Sequence, residues 1–162
     1  EDLSEKFPSA QMSSVSAGDL ENIEIPALLR AKGKAPSFAR NDADTWSLPV
    51  GPAPYLVKDY APLERRKQAA RFSARTTSDT TWSVKLPVGA KVLSVPGARE
   101  ESSPFGSVKV TVDASATTIR VRTVIVFSAT RVSPADYSAF RDYCERADRV
   151  LGQRLVYAGA KP

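Results

Sequence analysis

The side chains best suited to chemistry are few in this chain, and the commonest of them is missing. None of its 162 residues is a histidine, the group most used to move protons near neutral pH and to hold transition metals. Serine and cysteine triads built on histidine are therefore excluded within the chain. The one cysteine, Cys144, has no second thiol for an internal disulfide or a thiolate metal cluster, which leaves the redox compartment open. It falls in the apolar stripe of a predicted helix, where a thiol packs as a small hydrophobe and burial opposes its ionisation. Two acidic pairs, Glu100 with Glu101 and Asp42 with Asp44, have the chemistry of an acid and base or of calcium ligands. Each lies beside turn residues, without EF-hand spacing or a third carboxylate, so solvated loop charge is the expectation. The glycines at 18, 33, 51, 89, 97, 106, 152 and 159 give neither phosphate-loop nor dinucleotide spacing. The sequence thus predicts no catalytic residue, no metal ligand and no cofactor.

What remains is surface chemistry. Lys and Arg number 23 against 18 Asp and Glu, a net charge of +5, which attracts phosphate, anionic lipid or acidic partners only where it is clustered. The candidate cluster is Arg65, Arg66, Lys67, Arg71 and Arg75, joined by Arg120 and Arg122 if a neighbouring strand turns the same face outward. An Arg-rich strand face also serves plain solubility, and no aromatic residue interleaves with these arginines as a single-strand reader requires, so nucleic acid is disfavoured as a partner. Trp46 and Trp82 are the candidate platforms for a polysaccharide, together with Tyr55. Both tryptophans occupy the apolar phase of alternating strands, which favours a place in the core.

The elements that must position these groups are mostly strands. A chain of 162 residues predicts one domain, or one with a small appended piece. Short apolar stretches at Met12 and Val15, at Ile23 to Leu29 and at Trp46 to Val50 predict strands, the second opening on the alternation Asn22-Ile23-Glu24-Ile25, with turns at 17–19 and 32–34. Trp46, Leu48 and Val50 should share the core side. Prolines at 49, 52, 54 and 62 make residues 51–62 a connection with one helical turn around 56–60. Residues 70–75 predict a half-buried strand with a basic outer face, and 81–86 a second strand followed by a turn at 87–90. A hairpin comes next, with Val108, Val110 and Val112 on one arm, a loop at 113–117, and Ile119, Val121, Ile125 and Phe127 on the other. The second arm's opposite face changes from Arg120 and Arg122 to Val124 and Val126, which predicts burial on both sides at its end. A helix over 133–151 follows, capped by Ser133, with Pro134 first and Asp136 near the positive dipole end. Its stripe of Tyr137, Phe140, Cys144, Ala147 and Leu151 should cover Val124 and Val126, and Gly152 should end it. Residues 153–157 are a last strand or an extended tail. No run approaches the ~20 apolar residues of a spanning helix, so no transmembrane segment is expected.

The order WSVKLPVGAKVLSVP (82–96), FGSVKVTV (105–112), an RVRTV strand and VSPADYSAFRDY (132–143) resembles the C-terminal β-domain of bacterial transglutaminase-like envelope proteins. The likeness covers residues 63–157, and residues 1–62 match more loosely through PSFAR, LPV and YAPLERR. The resemblance implies an exported, periplasmic accessory domain beside a papain-like core. The Cys, His and Asp of that core have no counterparts here, so no catalytic role carries over. The expected architecture is mainly β: an antiparallel β-sandwich of Ig-like proportions with one C-terminal helix packed on it. Residues 1–62 are expected to be a strand-rich lead-in that packs on or completes the sandwich formed by 63–162. The chain opens at Glu1 on acidic and polar residues, unlike a secretory signal, and reads as a processed or excised piece of something longer. The expected function is a non-catalytic scaffold that contacts a neighbouring domain or subunit of an envelope protein. A carbohydrate or peptidoglycan module is the alternative.

Overall fold

A computed structural model of the chain describes residues 10–18, 21, 23–49, 51, 56–115 and 117–159, and the chain divides into two compact units, 1–40 and 41–162. Among its described residues the first unit holds a two-stranded antiparallel ribbon, β1 (Gln11–Ala17) with β2 (Leu29–Lys34). Two expectations for this region fail. Ile23 and Ile25 stand in a turn and a bend rather than a strand, and Lys32-Gly33-Lys34 continues β2 rather than turning. Asn22 lies outside the described residues, as do Val50, Pro52, Pro54 and Tyr55.

The second unit is mainly β, with two four-stranded antiparallel sheets and one long C-terminal helix. One sheet has the order β6-β10-β9-β8, from β6 (Thr76–Lys85), β8 (Arg99–Ser103), β9 (Gly106–Ala114) and β10 (Thr118–Phe127). The other has the order β3-β4-β12-β7, from β3 (Arg40–Asp42), β4 (Thr45–Pro49), β7 (Lys91–Ser94) and β12 (Arg154–Ala158). A small ribbon pairs β5 (Ala70–Arg71) with β11 (Arg131–Val132). Among the described residues the helices are α1 (Leu56–Tyr60) and α2 (Tyr137–Leu151). The β9–β10 hairpin has the alternation its sequence demands, with Val108, Val110, Ile119, Val121, Ile125 and Phe127 buried on one face. Leu48, Leu155 and Tyr157 are the buried positions of the other sheet. The two layers meet where β4 ends: a methyl added to Gly51 would stand 3.4 Å from Thr123 Oγ1 in the middle of β10.

Residues 41–62, expected in the lead-in, carry β4 and α1. Both are tied to the C-terminal part of the chain. β4 pairs with β12 from Thr45 opposite Ala158 to Pro49 opposite Arg154. Asp148 of α2 accepts hydrogen bonds from the backbone N–H groups of Leu56 (2.8 Å) and Val57 (3.1 Å), satisfying two donors that a helix start leaves open.

α2 corrects two expectations. It begins at Tyr137 rather than at 133, because Ser133 to Asp136 forms a separate turn. There the Ser133 hydroxyl donates to Asp136 Oδ2 (2.6 Å) and accepts from the Asp136 N–H (3.2 Å), so it caps one turn too early to start the helix. The helix also lies on the inner face of the β6-β10-β9-β8 sheet, not over Val124 and Val126. Its Phe140 ring sits 5.8 Å from Phe127 and 5.3 Å from Phe105, and Arg146 reaches Glu101 of β8 at 3.2 Å. Val124 and Val126 point the other way and stay half-buried. The expected stripe is buried in full, and Tyr143 and Val150 join it. Its aromatic members continue through Phe72 to Tyr60, which stacks on Phe127 at 4.5 Å. This apolar seam fixes α1, β5, β10 and α2 to one another.

The predicted strand over 70–75 survives only as β5, with Phe72 adding one bond to Thr130 O (3.0 Å). β8 is a strand where loop charge was expected: it pairs with β9 from Arg99 opposite Val110 to Ser103 opposite Gly106, and its glutamates find partners on neighbouring elements. Glu100 pairs with Lys109 at 3.3 Å and Glu101 with Arg146. Asp42 ends β3 and Asp44 lies in the following turn.

Candidate interaction surface

Residues directly opposite in antiparallel strands share a face, so the register fixes which side chains the large sheet turns outward. Its rows read Glu100, Lys109, Val124, Asp79; then Thr111, Arg122, Thr81; then Asp113, Arg120, Ser83. Arg120 and Arg122 therefore do stand outward together, but among carboxylates. Arg122 forms a two-point hydrogen bond with Asp79, Nε to Oδ1 at 2.9 Å and Nη2 to Oδ2 at 2.6 Å. That bond holds the Asp79 carboxyl below its usual range and raises the guanidinium. Both side chains are exposed, so the pair organises the surface more than it stabilises the fold. A shallow depression of about 340 Å³ lies here between Lys109, Thr111 and Arg122.

The other predicted arginines belong to different elements. Arg65 and Arg66 follow α1, and the Arg66 guanidinium lies 5.7 Å from the Tyr137 ring centre, a cation–π contact that leaves it half-buried. Arg71 is exposed on β5 directly opposite Arg131 of β11, and Arg75 is exposed ahead of β6. The expected set is thus distributed over a loop, a small ribbon and one sheet face. Trp46 and Trp82 lie on the core side of different sheets, opposite Tyr157 and Val121 respectively, and both are half-buried. They do not form one row along a strand. A second depression, of about 570 Å³, runs between β8 and the end of α2. Gln153 ties Gly97 there through both its amide atoms, at 2.8 and 3.3 Å.

Cys144 is fully buried and its thiol is pushed up to about 12, first by burial and then by the nearby Asp148 charge. Tyr143 is likewise pushed up to about 12 by burial. Neither group is ionised near neutral pH. Among the described residues no cluster of three or more His, Cys, Asp or Glu could hold a metal ion, and no helix is long and apolar enough to cross a membrane.

Exposed apolar side chains also gather on the ribbon of the first unit, where every described residue of both strands is exposed. Met12 and Val15 are three apart, an odd spacing that would put them on opposite faces of a regular strand. A bulge between Met12 and Ser14 changes this, and the Ser13 hydroxyl anchors it to Lys32 O at 3.2 Å. With the extra residue, Met12, Val15 and Ala17 stand opposite Gly33, Ala31 and Leu29 on one apolar face. Ser14 and Ser16 stand opposite Lys32 and Arg30 on the other. Gly33 is needed for this arrangement, since an added methyl would fall 2.6 Å from Gln11 O and 3.0 Å from the Met12 sulfur. Val15 is 60% and Leu29 63% exposed, and Ile23 in the connection is 96% exposed. Spacing alone cannot reveal this face, because the bulge is what assembles it.

Comparison with known proteins gives two findings. The model of a family described as a domain of unknown function with a solved structure, DUF3858, matches residues 47–157. A crystal structure of a protein from Parabacteroides distasonis, described as "a putative protease", has a similar fold, with a TM-score of 0.52 and 22% identity. The likeness covers 60% of this chain but 19% of that one, so the chain spans a small part of its structural neighbour. No curated protein matches the chain.

Proposed function

The chain belongs, through residues 47–157, to the DUF3858 family, and from that membership we propose that it is a non-catalytic accessory β-domain of a larger protein. Its task is contact with a neighbouring folded domain. The observation that carries this reading is the ribbon's exposed apolar face, gathered by a bulge. A two-stranded ribbon is marginal alone in water, and a contiguous exposed apolar face of this kind marks an interaction site. The small share of the longer neighbouring structure that this fold occupies supports the accessory role. The sequence resemblance supports the finer version: an exported, cell-envelope protein with a transglutaminase-like core beside this domain.

The test begins with the full reading frame and the folded segment encoded next to the ribbon, produced separately and mixed with the chain. The segment should co-elute with the chain and slow amide exchange across 11–17 and 29–34, and Val15→Lys with Leu29→Lys should abolish both effects. A reading frame without such a segment, or co-elution indifferent to the two lysines, refutes the proposal. Fractionation of cells producing the full reading frame tests the envelope location.

A further inference from the structure

Strand β6 is an edge. It pairs with β10 over ten consecutive positions, Thr76 opposite Phe127 through Lys85 opposite Thr118, without a bulge, and among the described residues no strand pairs with its other side. Edges of this length are ordinarily blunted by proline, by bulges or by repeated lysines. The sequence TTSDTTWSVK contains no proline and a single lysine, at its end. The inner-face positions Thr76 and Ser78 are exposed although the face they belong to is the core side farther along the strand, where Thr80, Trp82 and Val84 are half-buried. The opposite edge, β8, is occupied differently: α2 packs along it through the bond from Arg146 to Glu101.

We propose that β6 pairs antiparallel with β6 of a second copy of this chain, about a two-fold axis through Thr80, joining the two four-stranded sheets into one of eight strands. A two-fold axis perpendicular to the sheet places residue i opposite residue j of the same facing, so the axis passes through a residue. Centred on Asp79 it would set two carboxylates against each other. Centred on Thr80, each Trp82 stands opposite the partner copy's exposed Ser78, and each Val84 opposite the partner copy's exposed Thr76. Asp79 then faces Thr81, so no like charges meet along the nine paired residues. The inner-face positions left open in one copy are covered by the other.

The proposal is independent of the ribbon, and its test is made on the chain carrying Val15→Lys and Leu29→Lys, so that ribbon contacts cannot supply the result. Light scattering should find twice the chain mass as concentration rises. Thr80→Lys and Thr80→Glu should each be monomeric, because identical charges then oppose each other at the axis, and an equimolar mixture of the two should dimerise. Circular dichroism confirms that each variant is folded. Thr80→Cys supplies a second measurement should those variants misfold. Opposed Cα atoms in such a pair are ~4.5–5.5 Å apart, within disulfide reach, so mild oxidation should yield a covalent dimer. Thr76→Cys, eight residues from its own counterpart and roughly 27 Å away, should not cross-link. The native Cys144 is buried and stays silent in both. A monomer at every concentration, a charge pair that fails to restore the dimer, or equal cross-linking at 76 and 80 overturns the proposal.

Discussion

Replacing Asp148 with alanine should loosen the junction between α1 and α2 more than any surface substitution of similar size. Its carboxylate accepts two backbone hydrogen bonds, 2.8 Å from Leu56 and 3.1 Å from Val57, in a part-buried setting. Hydrogen bonds to a charged group contribute ~1.5–3 kcal/mol each when both partners are sheltered. Partial access to water reduces this, and the truncated site lets water reach the two freed N–H groups, so about 2–3 kcal/mol is expected for Asp148→Ala. Asp148→Asn keeps one acceptor and should lose roughly half as much. For a unit of this size the alanine variant should melt roughly 5–10 °C lower. Urea unfolding followed by tryptophan fluorescence gives the free energy. Near-UV circular dichroism reports on Tyr60, whose stacking on Phe127 depends on α1 holding its place. If Asp148→Ala unfolds within about 0.5 kcal/mol of the parent, the ordinary scatter of surface substitutions, the cap is not what anchors α1.

Alkaline pH should weaken the second unit in two steps. Cys144 and Tyr143 hold their protons in the fold to about 12, against 9.0 and 10.0 for the free groups. The unfolded chain therefore releases protons first, and stability that is complete below pH 9 falls as pH rises towards 12. Cys144→Ala should postpone the onset by about one pH unit, visible as a flatter denaturation midpoint between pH 9 and 10. The same burial predicts that a disulfide reagent will not label Cys144 until the protein unfolds. Phe140→Ala removes a fully buried ring that meets Phe72, Phe105, Phe127 and Tyr137. It should cost about 3–5 kcal/mol in urea unfolding, whereas Phe140→Leu should cost distinctly less.

The elements legible in the sequence were those whose periodicity is clean and whose partner is adjacent. The β9–β10 hairpin and the buried stripe of α2 follow from alternation and three-four spacing, and the turn at 87–90 from its Pro and Gly. β8 is not legible, because REESS carries no apolar position and is held by its backbone pairing with β9, which its own residues do not announce. The seat of α2 is hidden for a related reason. Val124 and Val126 look like a second buried face by composition, yet only the register shows that Phe127 and Phe140 share the inner side. The basic cluster reads as unified because Arg65 to Arg75 are neighbours in sequence, while the fold spreads them over the segment after α1, β5 and the approach to β6. The ribbon's apolar face was hidden by parity, since one inserted residue at Ser13 reverses the sense of every position before it.

β12 has a consequence for how the chain comes to be folded. It is the last of these strands in sequence and yet it lies between β4 and β7, so those two cannot be joined until it arrives. Its Arg154 closes onto Ser47 across 107 residues, a loop-closure penalty that nothing local can offset early. During synthesis the β8–β9–β10 meander can assemble as it emerges, whereas β4 must wait as an open-edged hairpin arm for nearly the whole unit to be made. A nascent or truncated chain ending before Arg154 would hold one sheet formed and the other in two unattached pieces, which is the form in which chaperones or proteases would meet it.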